Sequence, residues 1–227
     1  MKRHLLAGIA CQAFGGSAVQ AQTLRIAMAA EPTSADPHHF AAAPNSTLHD
    51  HIFESPVELD ARLKAQPSLA LTWTRRDDLT WVFELRPGVR FHNGAAFTAQ
   101  DVHFSICRIV LNENELASSF SATVRRLRKV ETETPHRVVI TTAAPEPLLP
   151  SDLASLRIIT ASLVPARPVV FDGANGCGGR EAGWPQLAQF NEGSAAIGTG
   201  PFRLRSFGRS DVTELTRPRG RWQRAAA

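Results

Sequence analysis

Four histidines, His38, His39, His49 and His51, crowd one short stretch with Asp50 among them. Imidazoles beside a carboxylate are the raw material of a metal centre. Their spacing argues against one. Ser46 to Phe53 reads as a helix, on which His49 and His51, two positions apart, point to different sides, and no Cys or His follows at ligand spacing. Polar surface or satisfied core histidines explain the cluster, and no metal ligand is assigned. Glu54, Glu58 and Asp60 form a second candidate group, an acid/base pair of carboxylates. No Gly-x-Ser-x-Gly elbow or His-Glu-x-x-His accompanies them, and Asp60 is explained by a turn. No catalytic residue is assigned, and an exported hydrolase stays only as an alternative. Gly176, Gly178 and Gly179 lack the third glycine and the lead-in strand of a dinucleotide fingerprint, so no cofactor is expected.

Cys107 and Cys177 are the remaining reactive groups beyond the N-terminal region. Nothing in the sequence places a histidine beside either thiol, which leaves a Cys/His nucleophile unsupported. An oxidising compartment permits a disulfide between them, and independent thiols are the alternative; sequence spacing does not decide whether their Cα atoms come within bonding range.

The elements that must position these groups centre on Leu79 to Arg108. Trp81, Phe83 and Leu85 alternate with Thr80, Val82 and Glu84, which predicts a half-buried strand. Pro87-Gly88 turns the chain, Val89 to Phe91 is a short second run, and His92-Asn93-Gly94 is a further turn. A helix follows, with Thr98 as N-cap accepting from the Asp101 N–H, Asp101 complementing the positive helix end, and Val102, Ile106, Ile109 and Val110 on the apolar face. Asp101 and Arg108 fall elsewhere on that helix. Leu24 to Met28 reads as a strand, and Glu31 to His38 as a loop fixed by two prolines. Val130 to Glu133 and Val138 to Thr142 form a hairpin, Pro145 to Pro150 starts a helix running through Leu156, and Phe171 to Gly193 reads as Gly-rich and irregular. Phe202 to Phe207 and Val212 to Thr216 make a final hairpin.

The chain of 227 residues, 43% apolar and 20% charged, is long enough to bury a real core in one or two domains. Its net charge of +4 comes mainly from dispersed arginines. The two local concentrations, Arg125 to Lys129 and Arg217 to Arg224, lie on no recognisable nucleic-acid module, so a nucleic-acid partner is not expected. Lys2 and Arg3, the apolar run Leu5 to Phe14, and Ser17 to Ala21 have the three regions of a secretory signal peptide cleaved after Ala21. The run is too short to span a bilayer and no later segment is long enough, which predicts an exported, periplasmic protein with no stable membrane insertion. Cys11 lacks the context of a lipoprotein box.

An ordered series of short matches gives a more specific reading. Leu69-Ala70-Leu71-Thr72-Trp73, Leu79-Thr80-Trp81, Leu85-Arg86-Pro87-Gly88-Val89, Phe91-His92-Asn93-Gly94 and Phe97-Thr98-Ala99-Gln100-Asp101-Val102 follow one another, flanked by Asp36-Pro37-His38, Phe53-Glu54 with Leu59-Asp60, and Gly198-Thr199-Gly200-Pro201-Phe202. The series resembles the extracellular solute-binding proteins of family 5, the peptide/nickel/opine class that serves ABC importers. The resemblance implies a mixed α/β, periplasmic-binding-protein type II-like fold, incomplete, holding part of lobe I and the appended small domain. It implies a first segment of lobe I over residues 22–53, an appended α/β domain over 54–165 and a return segment over 166–227. It implies noncovalent capture of a small peptide or similar solute, no catalysis, and delivery to an ABC permease in the inner membrane. Ligand-binding positions carried over are Ala41, Ala42, Ala43, Pro44 and Asn45, with Ser118 and Phe120 from a later segment, and Gly198 and Gly200 as a hinge. The matches look like the first half of such a protein, so a truncated or split-gene fragment without ligand binding is the rival reading.

Overall fold

The computed structural model describes residues 23–111, 120–164, 170–172, 176–178, 183–209 and 211–218. The expected signal peptide and Ser118 lie outside these. Leu24 to Met28 forms no ladder with any described residue, and Leu24 and Ile26 are 82% and 67% exposed. A short apolar run is present there, but a strand needs a neighbour to satisfy its backbone.

Helix α1 (Ala43–Ile52) starts three residues earlier than expected, with Pro44 in its first turn, where a missing N–H costs nothing. A short hairpin of β1 (Val57–Leu59) and β2 (Ala65–Pro67) follows. Asp60 closes it by accepting from the backbone N–H groups of Arg62 and Lys64, the turn role read from sequence. Next come β3 (Ala70–Arg75), β4 (Thr80–Leu85), α2 (Ala99–Leu111), α3 (Ser121–Val124), β5 (Leu127–Thr134), β6 (Arg137–Thr142) and α4 (Leu149–Asp152). The chain ends its described course with β7 (Val170–Asp172), β8 (Gly176–Gly178), α5 (Leu187–Asn191), β9 (Arg203–Ser206) and β10 (Glu214–Thr216).

Six of these strands form one antiparallel sheet in the order β3-β4-β6-β5-β7-β8. Phe83 sits opposite Val138 and Trp81 opposite Ile140, so the bulky face of β4 meets the apolar face of β6. Phe83, Val138, Ile140 and Val130 join Val102, Ile106 and Ile109 of α2 in one buried core. The expected hairpin of β5 and β6 is present around Pro135. Two expectations need correction. The Gly-rich stretch is not wholly irregular, because β7 and β8 extend the sheet there. The helix expected through Leu156 is one short turn, α4, continued by a 3-10 turn over Leu153–Ser155.

Helix α2 departs furthest from the sequence reading. Every residue from Asp101 to Ile109 is buried, the charged Asp101 and Arg108 included. Its start also differs: the Thr98 hydroxyl does not accept from the Asp101 N–H but donates to the Asp101 carboxylate at 3.1 Å, and the Thr98 N–H donates to the same oxygen at 2.8 Å. Asp101 thus reaches back over the helix end as the third-position acid of a capping box does. Its other oxygen accepts from the Ala161 N–H at 2.7 Å.

The same helix carries Cys107, which is bonded to Cys177 of β8 with Cα atoms 5.4 Å apart. The pair is a disulfide, not two thiols. It staples the outermost strand of the sheet to the central helix across 70 positions of sequence. Closing a loop of that size restricts the unfolded chain by about 4 kcal/mol in the chain-entropy treatment. Reduction, or the pair Cys107→Ser with Cys177→Ser, should lower stability by an amount of that order, read from urea titrations with and without reductant, each fitted with its own slope because the freed chain exposes more surface on unfolding.

Candidate functional site

Asp36 enters from the loop after residue 30 with no exposed surface, and Arg108 of α2 meets it there, 1% exposed. The guanidinium forks onto the carboxylate, Nη1 to Oδ1 at 2.8 Å and Nη2 to Oδ2 at 2.5 Å. Nε and Nη2 both donate to the Pro185 carbonyl, and the guanidinium carbon stands 4.5 Å from the centre of the Phe190 ring. Burial alone pushes the Asp36 carboxyl up, but the hydrogen bonds and charge of Arg108 outweigh it and hold the group below its usual 3.8.

His38 completes this cluster. Its Nδ1 faces Arg108 Nη1 at 3.0 Å and so must accept, which leaves Nε2–H to donate to the Arg157 carbonyl at 2.8 Å. Burial and the adjacent Arg108 charge lower its pKa to about 3, keeping the ring neutral. His49 of α1, lowered to about 4 chiefly by burial, bonds the Ser34 carbonyl through Nε2. Asn191 of α5 receives the Ser34 hydroxyl and the Ala35 N–H on its side-chain oxygen. Two of the four clustered histidines are therefore satisfied core residues. His51 packs edge-on against Phe202 instead. Among the described residues no group of three or more His, Cys, Asp or Glu is arranged to hold a metal ion.

The network aims the next residues outward. Phe40 has φ +43°, a left-handed conformation costly for an aromatic residue, and the residue is 53% exposed. The conformation is fixed from behind. Asn45, buried in the first turn of α1, donates from its side-chain nitrogen to the Phe40 carbonyl at 3.0 Å and accepts from the Thr33 N–H at 2.7 Å. Phe40, Ala41, His39 and Ser46 line a shallow open pocket with Pro37, His49 and Arg157. Ala41 and Ala43 are exposed and Ala42 and Pro44 half-buried; the Ala42 N–H donates to the Phe40 carbonyl and its own carbonyl accepts from the Ser46 N–H, both at 2.9 Å.

The expected ligand positions therefore separate. Ala41 to Pro44 border the exposed bend, with Ala43 and Pro44 already helical. Asn45 is a buried clamp whose side chain is committed to Thr33 and Phe40. Phe120 is wholly buried in the core, so packing and not ligand contact is its role here. Phe40, His39 and Arg157 escaped the sequence reading; the flanking Asp36-Pro37-His38 marked the segment, but no local signal announces a strained aromatic. The carboxylates Glu54, Glu58 and Asp60 do not converge on this pocket.

Close approach, not the unusual φ expected of a hinge, is what requires glycine at Gly198 and Gly200. Neither has a positive φ. A Cβ on Gly198 would stand 1.9 Å from the Ile52 carbonyl oxygen and one on Gly200 at 2.7 Å, so both are needed for close approach to the end of α1. The Gly200 N–H donates to that same oxygen at 2.9 Å. His92 holds the segment from the other side: its N–H donates to the Gly198 carbonyl at 2.9 Å, its Nδ1 accepts from the Gly198 N–H at 3.3 Å and its Nε2 bonds the Gly200 carbonyl at 2.9 Å. The His-Asn-Gly turn and the Gly-Thr-Gly-Pro segment, separated by over a hundred positions, form one junction.

Residues 64–226 match the family model for bacterial extracellular solute-binding proteins, family 5 Middle. The chain belongs to this family. Curated family 5 relatives include the periplasmic oligopeptide-binding protein OppA of Haemophilus influenzae, 38% identical over 82 residues that make up 36% of this chain and 15% of OppA. The glutathione-binding protein GsiB of Escherichia coli K12 is 25% identical over 217 residues, 95% of this chain and 38% of GsiB. Among solved structures, OppA of Burkholderia pseudomallei superposes with a TM-score of 0.68 at 18% identity, covering 85% of this chain and 37% of that one. NikA of Brucella suis in complex with Fe(III)-EDTA gives 0.64 at 24% identity, covering 86% and 35%. The family 5 chain thus has the fold of part of a periplasmic binding protein and spans well under half the length of these relatives. The relatives are binding proteins, not enzymes.

Arg108→Met leaves Asp36 as an uncompensated buried charge and should cost about 3–5 kcal/mol, measurable by chemical denaturation. Acid should weaken the same region. His38, His49 and His103 hold pKa values of about 3, 4 and 4 in the folded chain, each lowered chiefly by burial. Their unfolded forms protonate near pH 6.5, so the unfolded state binds more protons between the two values, and stability present above pH 6.5 is lost as pH falls, at up to about 1.4 kcal/mol per unit for each ring. Calorimetry from neutral to weakly acidic pH should show falling Tm. His103→Leu should flatten that slope by one ring's share, since the buried Nε2 of His103 has no hydrogen-bond partner among the described residues.

Proposed function

We propose that the chain is the periplasmic solute-capturing part of an ABC import system, exported by its N-terminal signal and meeting its ligand noncovalently at the bend of Phe40 to Ala43. The observation that carries this is the bend itself: a strained, exposed aromatic followed by small residues, braced by Asn45 and by the buried Asp36–Arg108 pair. Strain of this kind persists where surrounding structure over-determines it, and it sits here beside main chain open to a partner. The ligand class is a short peptide or related solute, because the curated relatives are named for oligopeptide and glutathione binding. Backbone groups at Ala41 supply hydrogen bonds to an extended ligand, those of Ala42 being bonded already to Phe40 and Ser46, and the Phe40 ring supplies apolar contact. Delivery is to an inner-membrane permease. Gly198 and Gly200 act in the connection between lobes as a close-packed joint with the end of α1.

The short span relative to the relatives favours a second reading, in which this segment braces one wall of the cleft and captures nothing without the remaining length. Thermal unfolding against a panel of short peptides separates the two. A peptide at about a hundred times its Kd adds about 2.7 kcal/mol, roughly 5–10 °C for a chain of this size. A shift of that order, abolished by Ala41→Trp at unchanged ligand-free Tm, supports capture by this chain. Absence of any shift supports the second reading.

A further inference from the structure

The positive charge of the chain is unevenly placed. Between Arg203 and Arg224 the sequence has seven arginines against two acids, Asp211 and Glu214, a local excess larger than the net +4 of the whole chain. The described part of this stretch is the hairpin of β9 and β10, with Leu204 opposite Leu215 and Arg203 opposite Thr216. Leu204, Leu215 and Phe207 pack against the core. Strand alternation then puts Arg203 and Arg205 on the opposite, outward face. Arg203, Arg205, Arg209 and Arg217 are all exposed. Arg205 alone of them has an acidic neighbour among the described residues, Glu214 at 3.4 Å, with both side chains at least half exposed, a contact of small worth in solvent. Val212, 66% exposed, stands in the turn region beyond Arg209.

We propose that this hairpin is a peripheral docking surface for an anionic lipid bilayer. Guanidinium groups pair with phosphate in a forked, weakly hydrated geometry, and the four exposed here, Arg203 and Arg205 on the outward face with Arg209 and Arg217 beyond the strand ends, sum to a useful attraction near a charged surface. The apolar valine at a basic tip suits the headgroup boundary, where a small side chain leaves water while its charged neighbours stay at the phosphates. A single-stranded nucleic acid is a poorer fit, since no aromatic ring is exposed on the outward face of the hairpin to stack on bases. Docking of this kind needs no spanning segment, and no described helix is long and apolar enough to cross a membrane. It places the protein at the surface where a permease would lie and is independent of which solute is captured.

Co-sedimentation of the chain with vesicles of phosphatidylcholine alone, or of phosphatidylcholine mixed with phosphatidylglycerol, tests the proposal. The wild type should bind the mixed vesicles only, with binding at least about tenfold weaker in high salt. The variant Arg203→Gln, Arg205→Gln, Arg209→Gln, Arg217→Gln should bind roughly a hundredfold more weakly, since each arginine near an anionic surface is worth about a fivefold factor before screening. Equal binding to neutral vesicles, insensitivity to salt, or a folded variant that binds as the wild type overturns it. So does displacement from mixed vesicles by an oligonucleotide at equal phosphate concentration, which would assign the surface to nucleic acid. Circular dichroism checks that the variant is folded, and the lipid and salt comparisons on the wild type decide the matter even where it is not.

Discussion

A guanidinium and a carboxylate buried together hold the entry loop of this protein in place. Neither Asp36 nor Arg108 is tolerable alone in that environment, because an isolated buried charge costs several kcal/mol. Together, with the Pro185 carbonyl taking the spare N–H groups and His38 taking another, nearly every polar atom finds a partner. The arrangement fixes direction more than it adds stability. Arg108 is rooted in the central helix, so the loop carrying Asp36 has one orientation, and the chain leaving His38 must bend out at Phe40. Asn45, donating to the Phe40 carbonyl, and Asn191, accepting from the Ala35 N–H, secure the same loop at either side.

Around that core the molecule is assembled by long-range joints. The disulfide draws β8 onto α2, His92 draws the Gly198 to Gly200 segment against its own turn, and the two glycines let that segment touch the end of α1. Each joint links pieces far apart in sequence, and each uses chemistry that nearby residues cannot supply. The bend at Phe40 lies on α1's side of this assembly, braced from beneath and open above.

Much of the fold was legible because its cues are local. Alternation in β4, the Thr134-Pro135-His136 turn and the Thr98 helix start each declare themselves within a few residues. The sequence of motifs from Leu69 to Val102 identified the family for the same reason, since turns and caps leave fixed residue types behind. What stayed hidden depends on distant partners. Arg108 reads as a polar residue on an amphipathic helix until Asp36 is known to lie against it. Cys107 and Cys177 are consistent with free thiols until β7 and β8 bring the second to the helix. Leu24 to Met28 has the short apolar run of a strand but no described strand beside it, so propensity alone misled. Of the positions carried over from the family, Ala41 lies exposed at the bend and Ala42 half-buried beside it, whereas Asn45 and Phe120 are buried, a property that position along a motif does not reveal.

The most direct measurement is hydrogen exchange at the amides of residues 39–43 with and without a pool of short peptides. Slowed exchange confined to this bend, with the amides around Asp36 already protected in both states, is the outcome expected of a braced surface that meets its ligand through main-chain groups. Unchanged exchange at the bend, or protection that appears only elsewhere in the chain, would contradict it.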